Sequence, residues 1–148
     1  MAGTTMTNTA RTMTSGVLRL VTVAGLAVDA YVHFDLASQF DVAGGGITQG
    51  LLFRIEGAAA VLVAVIVLLF GRRRWAAMPA FLVAVSALGA ILLYRYVDVG
   101  QLGPLPDMYD PAWYPEKALA AIAEAVAAVT AAMLVVRRLH PSKEEQPV

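Results

Sequence analysis

The sequence contains no cysteine and only two histidines, His33 and His140. A chain without thiols forms no disulfides, no thiolate-ligated iron–sulfur cluster and no cysteine-based zinc site. His33 lies inside a hydrophobic segment and His140 in the polar C-terminal tail, which disfavours a haem held by two histidines. A Gly-rich phosphate loop and a basic nucleic-acid-binding patch are also absent from the sequence. We therefore expect no nucleic-acid partner.

Hydrophobic residues are abundant instead. They make up 59% of the chain, against about 45–50% in typical soluble domains, and the mean hydropathy is +0.68. They are concentrated in four long segments, approximately Val17–Ala37, Ile47–Phe70, Trp75–Val97 and Pro115–Val136. Segments of this length suit transmembrane helices. The sequence thus predicts an all-α, four-helix transmembrane bundle.

The segments divide the chain into a membrane domain, residues 17–136, and two polar tails, residues 1–16 and 137–148. The first tail is rich in threonine, and we expect it to be disordered in the cytoplasm. The second is expected to be a short cytoplasmic tail. The longest connection, residues 98–114, is rich in proline and aromatic residues that suit a membrane interface.

Basic residues are distributed unequally between the two predicted sides of the bundle. On one side lie Arg11, Arg19, Arg72, Arg73, Arg74, Arg137, Arg138 and Lys143. On the other lie Arg54, Arg95 and Lys117. The positive-inside rule then predicts an up-down bundle in the plasma membrane with both termini cytoplasmic.

Ionisable residues interrupt three of the four hydrophobic segments. Asp29 and His33 are four residues apart, so a helix places them on one face. Glu56 and Glu124 lie among alanines and glycine, on faces expected to pack against other helices. A rise of about 1.5 Å per residue puts the three carboxylates at one level, roughly 9–15 Å from the outer ends. We expect them to converge, with Arg95 as the counter-charge.

Three further residues are secondary candidates. Arg54 and Lys117 lie nearer the predicted outer rim, and Lys117 shares the helix face of Glu124. Tyr31, together with Phe34 and the long outer loop, is expected to border a small-molecule pocket for a ligand such as a quinone or lipid.

Several functions fit this polar cluster. It can be a structural network, a proton or cation site, a metal site, or part of a ligand pocket. No residue is assigned a catalytic role, and no cofactor is indicated. The leading hypothesis is a non-enzymatic membrane protein that binds a small ligand or cation, or supports a protein partner. The alternatives are a quinone-linked membrane redox enzyme or redox-complex subunit, and a proton-coupled transporter.

Four stretches resemble a group of uncharacterised actinobacterial four-helix membrane proteins. They are Asp29 to Leu36 (DAYVHFDL), Leu51 to Ala60 (LLFRIEGAAA), Arg72 to Arg74, and Ala118 to Ala125 (ALAAIAEA). The second helix, with its glutamate followed by small residues, also resembles the DoxX-like membrane family. The resemblance implies a four-helix fold in an actinobacterial plasma membrane and transfers no catalytic residue.

Overall fold

The computed structural model describes residues 2–41, 46–73 and 75–139, and all regular secondary structure in these residues is helical. The four helices are α1 (Ala2–Ala37), α2 (Gln49–Phe70), α3 (Ala77–Tyr96) and α4 (Pro115–Leu139). The only β contact among the described residues is an isolated bridge between Leu102 and Leu105. The prediction of an all-α fold with four helices is confirmed.

Each helix includes a stretch that is long and apolar enough to cross a membrane. These stretches are Thr12–Ala37, Gln49–Phe70, Ala77–Tyr96 and Pro115–Arg137. Large apolar side chains such as Leu62, Leu68, Leu82 and Ile122 lie exposed on the bundle surface. An apolar surface of this kind suits a lipid environment, and together these features indicate a multi-pass membrane protein.

Local sequence explains where two of the helices begin. Thr48 caps α2, because its side-chain oxygen accepts a hydrogen bond of 3.0 Å from the Leu51 amide. Pro115 opens α4, where a missing amide donor costs nothing, and Glu116 in the first turn complements the positive end of the helix dipole.

The polar segment before the first span belongs to α1. The helix begins at Ala2 and continues without interruption into the apolar span. The segment contains no proline, and a helix that is already nucleated extends at little cost. At the other end of the chain, α4 includes the first residues of the predicted C-terminal tail. Residues 140–148 lie outside the described residues.

Small residues bring the helices together. The main core cluster is formed by Leu26, Ala30, Ala60, Val63, Ala64, Val67, Ala80, Ala84, Ala127, Ala128 and Ala131, from all four helices. Packing of α1 against α2 and α4, and of α3 against α4, is extensive, whereas the α2–α3 interface is smaller. Thr22 of α1 and Thr130 of α4 also share a hydrogen bond of 2.8 Å between their hydroxyl groups. These contacts fix α1 beside α4, where the buried polar residues lie.

Candidate functional site

Asp29 and His33 form the first half of the buried cluster. Asp29 is completely buried and His33 is 8% exposed. Because they are one turn apart on α1, His33 Nδ1 lies 2.7 Å from Asp29 Oδ1 and 3.0 Å from the Asp29 backbone oxygen. The Phe53 ring packs edge-on against the imidazole, with 5.3 Å between ring centroids. These contacts hold the imidazole in one orientation.

Glu124 of α4 completes the cluster from the opposite side. It is fully buried, and one of its carboxylate oxygens lies within 4.8 Å of both an Asp29 oxygen and a His33 ring nitrogen. The approach is possible because Gly25 has no side chain at the α1–α4 contact. A Cβ atom at this position would lie 2.8 Å from the Ala123 backbone oxygen. The close helix contact therefore brings the two acidic side chains together.

Glu56 approaches the cluster from α2. Its side chain is half-buried, and it interacts electrostatically with Asp29 and His33. One of its oxygens, Oε1, is buried without a hydrogen-bond partner among the described residues. The structure thus brings Asp29, His33, Glu56 and Glu124 into one region, on three helices.

The buried carboxylates lack the partners that such groups ordinarily require. Asp29 Oδ1 pairs with His33 Nδ1, but no further donor in the described part of the protein reaches an oxygen of Asp29 or of Glu124. An unpaired buried carboxylate is costly. The imidazole offers at most one positive charge, so the two carboxylates together require a further proton or a cation.

A cavity of about 400 Å³ adjoins the cluster. His33 and Glu56 line it, and its other polar residues are Gln49, Ser86, Tyr94, Asp110, Tyr114 and Lys117. The remaining lining residues are Val32, Leu36, Leu52, Phe53, Ile55, Ala87, Ala90, Ile91, Met108 and Ala120. An apolar cavity with a few polar groups is the usual form of a small-molecule site.

The cavity opens at the side of the bundle. Ile55 on α2 and Ser86 and Ala90 on α3 line the cavity and are also exposed on the surface. They lie on the two helices that share the smaller interface. At one end, residues of the long connection between α3 and α4 close the cavity, among them Met108 and Asp110. Access from the side would therefore pass between α2 and α3.

Lys117 anchors this long connection. Its Nζ donates hydrogen bonds to the Asp110 carboxylate at 2.9 Å, to the Asp110 backbone oxygen at 2.6 Å and to the Ala112 oxygen at 3.2 Å. The Asp110 backbone amide in turn donates a hydrogen bond of 3.0 Å to the Tyr94 backbone oxygen. The sequence analysis placed Lys117 near the rim but did not identify Asp110 as its partner. The only available signal was that a buried lysine needs an acceptor.

The same contacts shift the pKa values of Asp110 and Tyr114 at this end of the bundle. Partial burial would raise the pKa of the Asp110 carboxyl, but hydrogen bonds from Lys117 and the Ala112 amide lower it below its ordinary value. Burial, together with the nearby negative charge of Asp110, raises the pKa of Tyr114 to about 12. Asp110 is thus held ionised and Tyr114 neutral at physiological pH.

Arg54 is occupied elsewhere. It forms an exposed ion pair with Asp41, with 2.9 Å between Nη1 and Oδ1, and the hydrogen bond from Arg54 lowers the pKa of the Asp41 carboxyl. Thr48 also donates to the same carboxylate, at 3.0 Å. This group ties the start of α2 to the end of α1 and lies apart from the cluster.

The predicted role of Arg95 and the predicted position of Tyr31 and Phe34 are wrong. Arg95 was expected to be the counter-charge of the carboxylates, but its guanidinium lies 5.0 Å from the Tyr96 ring centroid and 5.8 Å from that of Trp113. Among the described residues it forms no ion pair with a carboxylate. Tyr31 and Phe34 were expected to border the pocket, yet both are exposed and neither lines the cavity. The aromatic faces available at the end of α3 and in the long connection explain the position of Arg95.

The chain matches no protein-family model, no curated protein and no solved structure. Any functional conclusion therefore depends on the chemistry of the cluster and the cavity.

Proposed function

We propose that this protein is a non-enzymatic plasma-membrane protein that binds a small amphipathic molecule in the cavity beside His33 and Glu56. The observation that supports this proposal best is the cavity itself, whose walls are mainly apolar and include a few polar groups. A ligand with an apolar body and a hydrogen-bonding head group, such as a quinone or a lipid, has the matching chemistry.

The proposal includes a membrane orientation. We place both termini in the cytoplasm, with α1 to α4 in an up-down arrangement. Arg72 and Arg73 between α2 and α3, and Arg137 near the end of α4, are exposed, which supports assigning this end to the cytoplasm. The cavity then lies in the outer half of the membrane, and the connection between α3 and α4 covers it from outside.

The head group and body of the ligand would contact different parts of the cavity. His33 can donate or accept a hydrogen bond, and Glu56 has a buried oxygen without a partner among the described residues. Both suit a hydroxyl or carbonyl head group. Leu52, Ile91 and Ala90 offer apolar surface to the body of the ligand. The side opening between α2 and α3 lets such a molecule enter from the bilayer.

Mass spectrometry of organic extracts from the gently purified full-length protein tests this proposal. We expect up to one quinone or lipid molecule per chain to remain bound after delipidating washes. Ala90→Trp should remove it, because Ala90 lines the cavity and the indole can occupy cavity volume from an exposed position. Ala58→Trp is the matched control, since Ala58 is exposed on α2 and does not line the cavity.

Two results would contradict the proposal. One is a wild-type protein that retains no quinone or lipid after washing. The other is equal retention by the Ala90→Trp and Ala58→Trp variants, which would show that bound molecules lie on the outer surface of the bundle.

A further inference from the structure

The Asp29, His33 and Glu124 side chains form a set of ligand atoms that a metal ion can join. One atom from each residue lies within 4.8 Å of the other two. Ligands at bond lengths of about 2.0–2.2 Å lie about 3 Å apart when adjacent and at most roughly 4.4 Å apart across the ion. Ligand atoms separated by up to 4.8 Å must therefore move closer together to surround one ion. His33 Nδ1 lies 2.7 Å from Asp29 Oδ1 and 3.0 Å from the Asp29 backbone oxygen, which are hydrogen-bonding distances, so the ring nitrogen that binds an ion must carry no proton.

The absence of other partners points independently to a bound cation. Asp29 and Glu124 are both 0% exposed, and the oxygens of Glu124 have no hydrogen-bond partner among the described residues. Two basic side chains from the same end of the bundle are engaged elsewhere, with Lys117 on Asp110 and Arg54 on Asp41. A cation between Asp29 and Glu124 would offset the repulsion of the two carboxylates and the cost of burying them.

We propose that Asp29, His33 and Glu124 bind one divalent transition-metal ion, with Glu56 as an additional carboxylate beside it. The donor set favours this class of metal. An imidazole nitrogen combined with carboxylate oxygens suits Zn²⁺, Fe²⁺ or Mn²⁺, whereas Mg²⁺ and Ca²⁺ prefer oxygen donors alone. The ion's two charges neutralise the Asp29 and Glu124 carboxylates while the imidazole stays neutral.

The neighbouring structure supports such a site. The Phe53 ring packs against the imidazole and restricts its rotation, and close packing at Gly25 fixes the spacing of α1 and α4. Fixed ligands lose less conformational freedom when a metal binds. His33 and Glu56 also line the cavity, which provides a route for a hydrated ion to the cluster.

Equilibrium dialysis against Zn²⁺, followed by elemental analysis, tests the proposal on the untagged full-length protein after chelator treatment. We expect one Zn²⁺ per chain. Loss of a ligand should weaken binding by about 100-fold or more, beyond the 10- to 100-fold seen when supporting residues are changed. Glu124→Gln and His33→Gln should both show this loss. A Co²⁺ titration should give the visible absorption of a protein-bound ion in the wild type and in neither ligand variant.

Two substitutions serve as controls. Glu116→Gln removes an exposed carboxylate from the same helix as Glu124, and His140→Gln removes the only other histidine. Both should bind Zn²⁺ like the wild type. Helix content and elution volume verify that each variant is folded, and His33→Gln provides an answer if Glu124→Gln does not fold.

A wild-type stoichiometry far below one, or undiminished binding in both ligand variants, would refute the metal site and leave a cluster that shares protons. The inference does not depend on the amphipathic ligand, because the assay uses delipidated protein and Zn²⁺ alone. Ala58→Trp, the control for ligand retention, should leave Zn²⁺ binding unchanged, because Ala58 is exposed on α2 and does not line the cavity.

Discussion

Substitution of Gly25 tests whether the close contact between α1 and α4 determines the stability of the bundle. A Cβ atom at Gly25 would lie 2.8 Å from the Ala123 oxygen, 3.1 Å from Ala127 Cβ and 3.3 Å from the Ala127 amide nitrogen. The nearest atom belongs to the α4 backbone, so no side-chain rotation relieves the contact. Gly25→Ala must move the two helices apart.

The magnitude follows from two opposing effects. Overpacking costs about 1–3 kcal/mol, whereas replacing glycine by alanine within a helix gains up to roughly 1 kcal/mol. Gly89→Ala in α3 shows only the second effect, because a Cβ there meets no atom within 4 Å, so comparing the two variants isolates the cost of overpacking. Both alanine variants gain similar helix propensity. We therefore expect Gly25→Ala to be less stable than Gly89→Ala by about 1–3 kcal/mol.

Denaturant titration in detergent micelles, with unfolding monitored by tryptophan fluorescence, measures the free energy of unfolding of both variants. Equal free energies would refute the reasoning, because they would show that α1 and α4 can separate without loss. A second consequence concerns the cluster. Ala123 immediately precedes Glu124, and Asp29 lies one turn after Gly25, so Gly25→Ala should also weaken Zn²⁺ binding.

The remaining predictions concern topology and the connection between α3 and α4. A topology reporter inserted near Asp107 should show an extracellular location, and one fused after Val148 should show a cytoplasmic location. The reversed result would contradict the proposed orientation. Lys117→Met should increase amide exchange in residues 98–114 by at least about tenfold, since hydrogen bonds to a charged group contribute roughly 1.5–3 kcal/mol each. Unchanged exchange would show that the Lys117 hydrogen bonds do not hold this connection. The lowered pKa of Asp110 predicts an interaction that is fully present above the carboxyl's unfolded-state value, near 4, and lost as the pH falls through the lower folded-state value. Acid should therefore increase exchange in this connection in the wild type, and the increase should be much smaller in Asp110→Asn.

The number and type of helices could be predicted because long apolar segments have few alternatives to a helix in a membrane. The start of α1 could not be predicted in the same way. Residues 2–16 are polar and lack the composition of a span, but helix continuity depends on the adjoining span and on the absence of proline. Composition describes only the segment itself, whereas helix extension depends on the neighbouring span.

The inward direction of Asp29 and Glu124 could also be predicted, because each lies on a helix face rich in small residues. The position of Arg95 could not. Its neighbour Tyr96 is adjacent in sequence, but Trp113 reaches it only through the path of the long connection. Helical spacing identifies the face on which a residue lies, and it contains no information about which loop side chain covers that face.

The cavity and the buried carboxylates reflect the unequal packing of the helices. α1 packs extensively against α4, and Gly25 permits their close contact, which buries Asp29 and Glu124. α2 and α3 share a smaller interface, and residues of both helices line the cavity, among them Phe53 and Ala90. Because His33 on α1 and Glu56 on α2 lie between these two regions, they border both the cluster and the cavity.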